Sequence, residues 1–332
     1  MDTEKILYLG TSLVSSVVNA FKQSPSKVDS ILVVKLDEIG DMVYTLHCIQ
    51  ALHDQFPESS LSVYCKPMNN ALVMQTGCVS HVVNEINDLH TKYDIQIDFR
   101  GNYETLQRAI TGKCDIYLDR GIVRLKNKFT GGQRHEVYTN QETISWLFPE
   151  DYTFKKPSFT ISETDIHFVQ DLVKSAGIDK YVVMHCGARD EARRWPAERF
   201  ASLIDEIHKI YGLKTVLIGS QNESALNQTV VAQCKNAVNL AGKTSLLQMA
   251  AVMRHSAFFV GNESGPLHFA IVEQKPLVAL FGPGVKDVFY PLFPNQQVIH
   301  HITSGLKGSD DSMQKITVEE VVTVIEQAMH SK

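Results

Sequence analysis

From residue 31 onward, apolar runs of strand length alternate with amphipathic stretches of helical period, and this alternation constrains the fold more than any single motif. The first half offers strands at 31–36 (ILVVKL), 61–65, 93–99 and 114–119; the second offers 181–186 (YVVMHC), 214–220, 237–242, 257–262 and 276–283. Between them, Phe200, Leu203, Ile204 and Ile207 fall at i, i+3, i+4 and i+7, which predicts a helix over 196–210 started by Pro196. Strands buried on both faces and joined by helices imply parallel sheets in an α/β fold. At 332 residues the chain exceeds one ordinary core, so two domains are expected. The polar, aperiodic stretch at 150–165 is the best boundary. The division is then an amphipathic arm at 1–29, a first domain at 30–160, a second at 161–312, and a closing helix at 313–332.

Each second-half strand runs into small or polar residues: Gly187, Gly219 with Ser220, Gly242, Gly261 with Asn262, and Gly282 with Gly284. In open parallel sheets, ligands bind outside the carboxyl ends of the strands. That rim is therefore the expected ligand floor, although glycine also permits tight strand-to-helix turns. Its richest segment is 258–270, FFVGNESGPLHFA. Ser264 stands where an N-cap belongs, Pro266 suits the first turn, and the Gly265 amide would face an anion. Glu263 and His268 add a carboxylate and an imidazole. A merely capped helix with a hydrogen-bonded histidine accounts for the same residues.

Other loops invite paired readings. In GARDEARRWPAERF, Arg193 and Arg194 stand before a helix start, where guanidinium groups could bind a diphosphate; pairing with Asp190 and Glu191 is the alternative. Ser220 and Glu223 suit ribose hydroxyls, and Lys243 and Thr244 precede another helix; each is equally a capped turn. In LDEIGDMVYTL, Gly40 would let a ligand approach the backbone, while Asp41 is either a helix cap or a group at a cleft mouth. Residues 120–134 carry Arg120, Arg124, Lys126, Lys128 and Arg134 with no acid and end in a Gly131-Gly132 hinge. They predict a mobile basic loop for an anionic acceptor, or a solvated one.

Composition excludes several classes. A net charge of −5 argues against bulk nucleic-acid binding. Six scattered cysteines, without CxxC or zinc spacing, read as reduced core residues of a cytoplasmic protein. No apolar run approaches the ~20 residues of a membrane span. The 1–29 arm, with Leu13, Val14, Val17, Val18 and Phe21 at helical spacing, packs on its own domain or rests on a membrane surface beside Lys5, Lys22 and Lys27. There is no HExxH, GxSxG, Walker lysine motif or GxGxxG, so a metal-free mechanism without a dinucleotide cofactor is expected.

The order of motifs LDEIGDMVYTL, YDIQIDFRGN, RHEV, HCGARDEARRWPAERF, LIGSQNE, NLAGKTSLLQMAAV, GNESGPLHFA, LFGP and ITVEEVVTVI resembles glycosyltransferase family 9, the ADP-heptose:lipopolysaccharide heptosyltransferases. The likeness covers 31–330. It implies a GT-B fold, two Rossmann-like domains with parallel sheets facing across a cleft, the last helix packing back toward the first. It also implies inverting transfer of a sugar from an ADP-activated donor to a lipopolysaccharide-core or related glycan acceptor. Asp41 is then the base, with Gly40, Arg120, Arg124 and Lys126 on the acceptor side. Arg193, Arg194, Glu263, Ser264, Gly265 and His268 hold the diphosphate and sugar, and Ser220, Glu223, Lys243 and Thr244 the nucleoside. Glu263 replaces the family's Asp, and Arg193 stands where relatives often have Lys.

Three functions follow for comparison: this transferase, acting in the cytoplasm or at the inner face of the membrane; a GT-B nucleotide-sugar epimerase or hydrolase, which would consume donor without acceptor; and a non-catalytic nucleotide-sugar-binding protein.

Overall fold

The computed structural model describes residues 27–89, 91–131, 134–148, 155–282, 286–301 and 311–330. The amphipathic arm (save 27–29), Gly132 and Gly284 lie outside them. The chain divides into two compact units, Met1–Thr160 and Ile161–Lys332. The break falls inside the polar stretch at 150–165.

The first unit holds β1 (Ser30–Lys35), β2 (Ser60–Cys65), β3 (His81–Val83), β4 (Tyr93–Arg100) and β5 (Cys114–Asp119), in the order β3-β2-β1-β4-β5. Every pairing is parallel. Ile31, Leu32, Val33 and Val34 are fully buried, which is why β1 reads as an unbroken apolar run.

The second unit holds β6 (Tyr181–His185), β7 (Lys214–Leu217), β8 (Ala237–Asn239), β9 (Phe259–Asn262), β10 (Leu277–Phe281) and β11 (Gln296–His300). They are all parallel, in the order β8-β7-β6-β9-β10-β11. This is the doubly wound Rossmann order. The helix Ala197–Tyr211 buries Phe200, Leu203, Ile204 and Ile207 on this sheet and ends at Gly212 in the left-handed conformation. Trp195, fully buried, stacks edge-on against Phe200 at 4.9 Å and donates its indole N–H to the Ile316 carbonyl at 3.0 Å. A large side chain with its polar atom satisfied contributes about 1.5–3 kcal/mol by burial.

The closing helix Val318–His330 puts Val321 and Ile325 into the second unit's core, beside the helix Ala197–Tyr211 and strands β10 and β11. One expectation changes. The basic stretch expected as a loop is a helix over Arg120–Thr130. Asp119 caps it by accepting from the Gly121 N–H, Gly131 closes it, and no proline stands between.

Candidate active site

In each unit the strand order reverses at one place, between β6 and β9 and between β1 and β4. Loops leaving adjacent strands there diverge and open a crevice.

In the second unit, the side chain of Asn262, the last residue of β9, ties the two loops together. Its Oδ1 accepts from the Trp195 N–H at 3.1 Å and its Nδ2 donates to the Cys186 carbonyl at 2.8 Å. The loop after β6 is thereby held against the β9 end, and Arg193 Nη1 donates to Glu263 Oε2 at 3.1 Å. Arg193 Nε is buried with no hydrogen-bond partner among the described residues. Arg194 turns back on its own loop, donating to the Ala188 carbonyl at 3.0 Å and to Glu191 at 3.0 Å. The two arginines therefore differ: Arg193 serves the crevice, while Arg194 holds the loop.

Ser264 occupies the N-cap position of the helix Gly265–Val272 but makes no side-chain cap. Its hydroxyl donates to the Asn262 carbonyl at 3.0 Å and is hydrogen-bonded to His185 Nδ1 at 2.9 Å. The Gly265 amide is left without a side-chain cap at the positive end of a helix, which favours an anion.

His185, last residue of β6 and fully buried, also meets Glu223 Oε1 through Nε2 at 3.1 Å. Burial opposes ionisation of Glu223, but hydrogen bonding and charge from His185 and the Ser220 amide and hydroxyl outweigh it and hold the carboxyl at about 2. Gly187 leaves room for the Glu223 carboxylate, which a Cβ there would displace. Ser220, His185, Glu223 and Ser264 thus form one chain of hydrogen bonds along the rim. Nothing in the sequence reading assigned His185; the signal available was a titratable residue ending an apolar strand just before a glycine.

Lys243 is exposed and Thr244 half-buried in the loop after β8, while the cap of the next helix is Ser245, in a capping box with Gln248. His268 is buried one turn into its helix, its ring 5.2 Å from that of Phe289.

In the first unit, the rim carries a charge cluster. Lys35, fully buried at the end of β1, lies 2.9 Å from Asp37 and 3.6 Å from Glu136. Arg120 pairs with Glu136 and stands 3.9 Å from Asp37, while Arg100, ending β4, is 3.5 Å from Asp37. Burial and the neighbouring Arg120 lower Lys35 to about 8. Burial works against ionisation of Asp37, but Lys35 and the arginines prevail and hold it below the usual carboxylate range. Arg120 is a buried structural cation, 4 % exposed, rather than part of a free basic loop.

Asp41 lies beside this cluster in the short helix Ile39–Val43, with Gly40 buried before it. The helix starts one residue before Gly40, and its N-cap is Glu38, so Asp41 is neither cap nor helix opener. A second helix, Leu46–Gln55, carries Leu46, Ile49 and Leu52. The Asp41 carboxylate, half-buried, takes no hydrogen bond from any described residue. Burial raises its pKa against the pull of Lys35. A raised carboxylate is a better proton acceptor. Arg124 and Lys126 are exposed on the helix Arg120–Thr130, Lys126 bonded to Glu142 at 2.7 Å.

Two Rossmann-like units, each with an all-parallel sheet, give the chain the GT-B fold. The model of glycosyltransferase family 9 (heptosyltransferase) matches residues 127–316, and the chain belongs to that family. It is a glycosyltransferase. It is 25 % identical to lipooligosaccharide heptosyltransferase 2 of Haemophilus ducreyi, over 90 % of this chain and 99 % of that one. Among solved structures it is similar to a family 9 glycosyl transferase from Veillonella parvula, with a TM-score of 0.81 at 22 % identity over 93 % of this chain and 99 % of that one. It is also similar to the E. coli ADP-heptose LPS heptosyltransferase II, with a TM-score of 0.70 at 21 % identity, over 90 % and 98 %.

Proposed function

We propose that the chain is an inverting, metal-independent transferase that moves a heptose from an ADP-activated donor to a lipopolysaccharide-core or related glycolipid acceptor, working in contact with the membrane that holds it. The relatives' names supply the donor and acceptor class. The observation that carries the chemistry is the uncommitted Asp41 carboxylate, half-buried and raised in pKa.

Asp41 accepts the proton of the acceptor hydroxyl as that oxygen attacks the anomeric carbon. The bond from that carbon to the diphosphate oxygen breaks, and the diphosphate leaves with the electron pair. Arg193 and the Gly265 amide, both on the second rim, meet the growing negative charge. Glu223 and Ser220 take the ribose hydroxyls, with Lys243 and Thr244 toward the base. Glu263 fixes Arg193 and reaches further than an aspartate would, which bears on the sugar accepted.

Asp41→Ala is expected to lower kcat by about 10²–10⁴, the range of a general base, with ADP affinity unchanged by calorimetry. Wild-type turnover in that variant would sink the assignment.

A further inference from the structure

The helix Arg120–Thr130 is amphipathic the wrong way round for a surface helix. Successive residues turn by about 100°. Arg120 and Asn127, two turns apart on one face, are buried at 4 % and 3 %. Polar bonds fix that face to the helix Glu136–Ile144: Arg120 pairs with Glu136, and Asn127 Nδ2 donates to Glu142 Oε2 at 3.1 Å. Ile122, Leu125 and Phe129 fall at i, i+3 and i+7 and so share the opposite face. Ile122 and Leu125 are half-buried, and Phe129 is 81 % exposed, the most exposed large apolar side chain described. An ordinary surface helix turns its apolar stripe to the core.

Cations flank the stripe. Lys128 lies on one side and Lys126 on the other, Arg124 stands further round, nearer the buried Arg120, and residues 120–135 contain no acid. Lys126 and Arg134 both reach Glu142, at 2.7 and 3.4 Å. Arg124 and Lys128 are exposed and have no ion pair among the described residues.

We propose that this face is a docking surface for an anionic lipid bilayer: Phe129, with Leu125 and Ile122 behind it, enters the boundary between headgroups and acyl chains, and Lys128 lies against lipid phosphates. A single apolar row bordered by long cations matches an interface that is apolar at its centre and anionic at its edge. A protein partner would need a wider apolar patch and acids of its own. The inference builds on the glycolipid-acceptor reading, since it supplies how the enzyme meets a membrane-held substrate, but its test uses neither donor nor acceptor.

The full-length protein is sedimented with phosphatidylcholine vesicles with and without phosphatidylglycerol. Binding is expected only to the anionic vesicles and to fall with added salt. Phe129→Ser and Lys128→Glu are each expected to weaken partitioning roughly tenfold, while transfer by Phe129→Ser to a soluble, lipid-free acceptor stays at the wild-type rate. Vesicle binding that persists in both variants overturns the proposal and moves the contact elsewhere, including to residues 1–26. No binding by the wild type overturns it as well. A wild-type dimer that Phe129→Ser converts to monomer overturns it in favour of a second copy of the chain. Anionic-vesicle binding without any heptose transfer would leave the docking surface standing and remove only the assigned reaction.

Discussion

His185 Nε2 and Glu223 Oε1 lie 3.1 Å apart on the rim of the second sheet, and this contact joins the two halves of the proposed donor site. On one side Glu223 is held by Ser220; on the other, His185 reaches Ser264 beside the uncapped Gly265 amide. His185→Ala leaves Glu223 without its imidazole, so the carboxylate loses both orientation and part of what keeps it ionised. A hydrogen bond to a charged group contributes about 1.5–3 kcal/mol, so donor KM should rise roughly 10- to 100-fold with a smaller change in kcat. His185→Asn, which keeps a donor, should recover part of the loss. An unchanged donor KM in the alanine variant would remove His185 from the positioning of the site.

Gly187 tests the same contact from the backbone. A methyl group there meets the Glu223 carboxylate, the far end of a flexible side chain, so the substitution displaces Glu223 rather than the backbone. Gly187→Ala should leave the fold close to wild-type stability and weaken ADP binding, both readable by thermal shift with and without ADP. Wild-type ADP affinity in this variant would show that Glu223 does not touch the nucleotide.

The pH dependence of transfer should report Asp41. Burial raises its pKa, so the carboxylate takes up a proton at a pH above the ordinary aspartate value of about 3.9 and can then no longer accept one from the acceptor. kcat/KM should therefore fall, as pH is lowered, through a pKa above that value. Asp37, close by, is held low and does not titrate in that window. The profile of Asp41→Asn, measured on its residual activity, should lack this limb; the same limb in both proteins would assign it to another group.

The sheets were legible because parallel strands buried on both faces read as apolar runs, as β1 and β10 do. The strands missed, β3 and β11, are edge strands with partly exposed residues, so their apolar signal is broken. The helix Arg120–Thr130 was hidden by its own reversal: its buried face carries Arg120 and Asn127, its Phe129 is exposed, and its cations dominate the composition. Motifs placed Glu223, Glu263 and Arg193 on the rim, since each follows a strand. His185 and the Lys35–Glu136 contact depend on which strands are neighbours, and chain distance does not encode that.

A last expectation concerns a buried acid away from the rim chemistry. Asp98, fully buried in β4, accepts from the Thr105 hydroxyl at 2.7 Å, from Gln96 Nε2 at 3.0 Å and from the Tyr117 hydroxyl at 3.1 Å; that same hydroxyl lies 3.0 Å from Asp119. Burial raises Asp98 to about 7; the hydrogen bonds from Thr105, Gln96 and Tyr117 pull the other way, and the charge of Asp119 adds to the rise. The unfolded chain releases this proton near pH 4, whereas the folded protein retains it to about 7. The folded state therefore binds more protons across that interval, and the Asp98 contribution to stability, full below pH 4, is lost as pH rises through the folded value. Asp98→Asn, which cannot titrate, should remove this slope, so its stability relative to wild type should improve steadily from pH 4 to 7. Urea unfolding at several pH values measures it. Parallel stability curves for the two proteins would mean that Asp98 is ionised in the folded state.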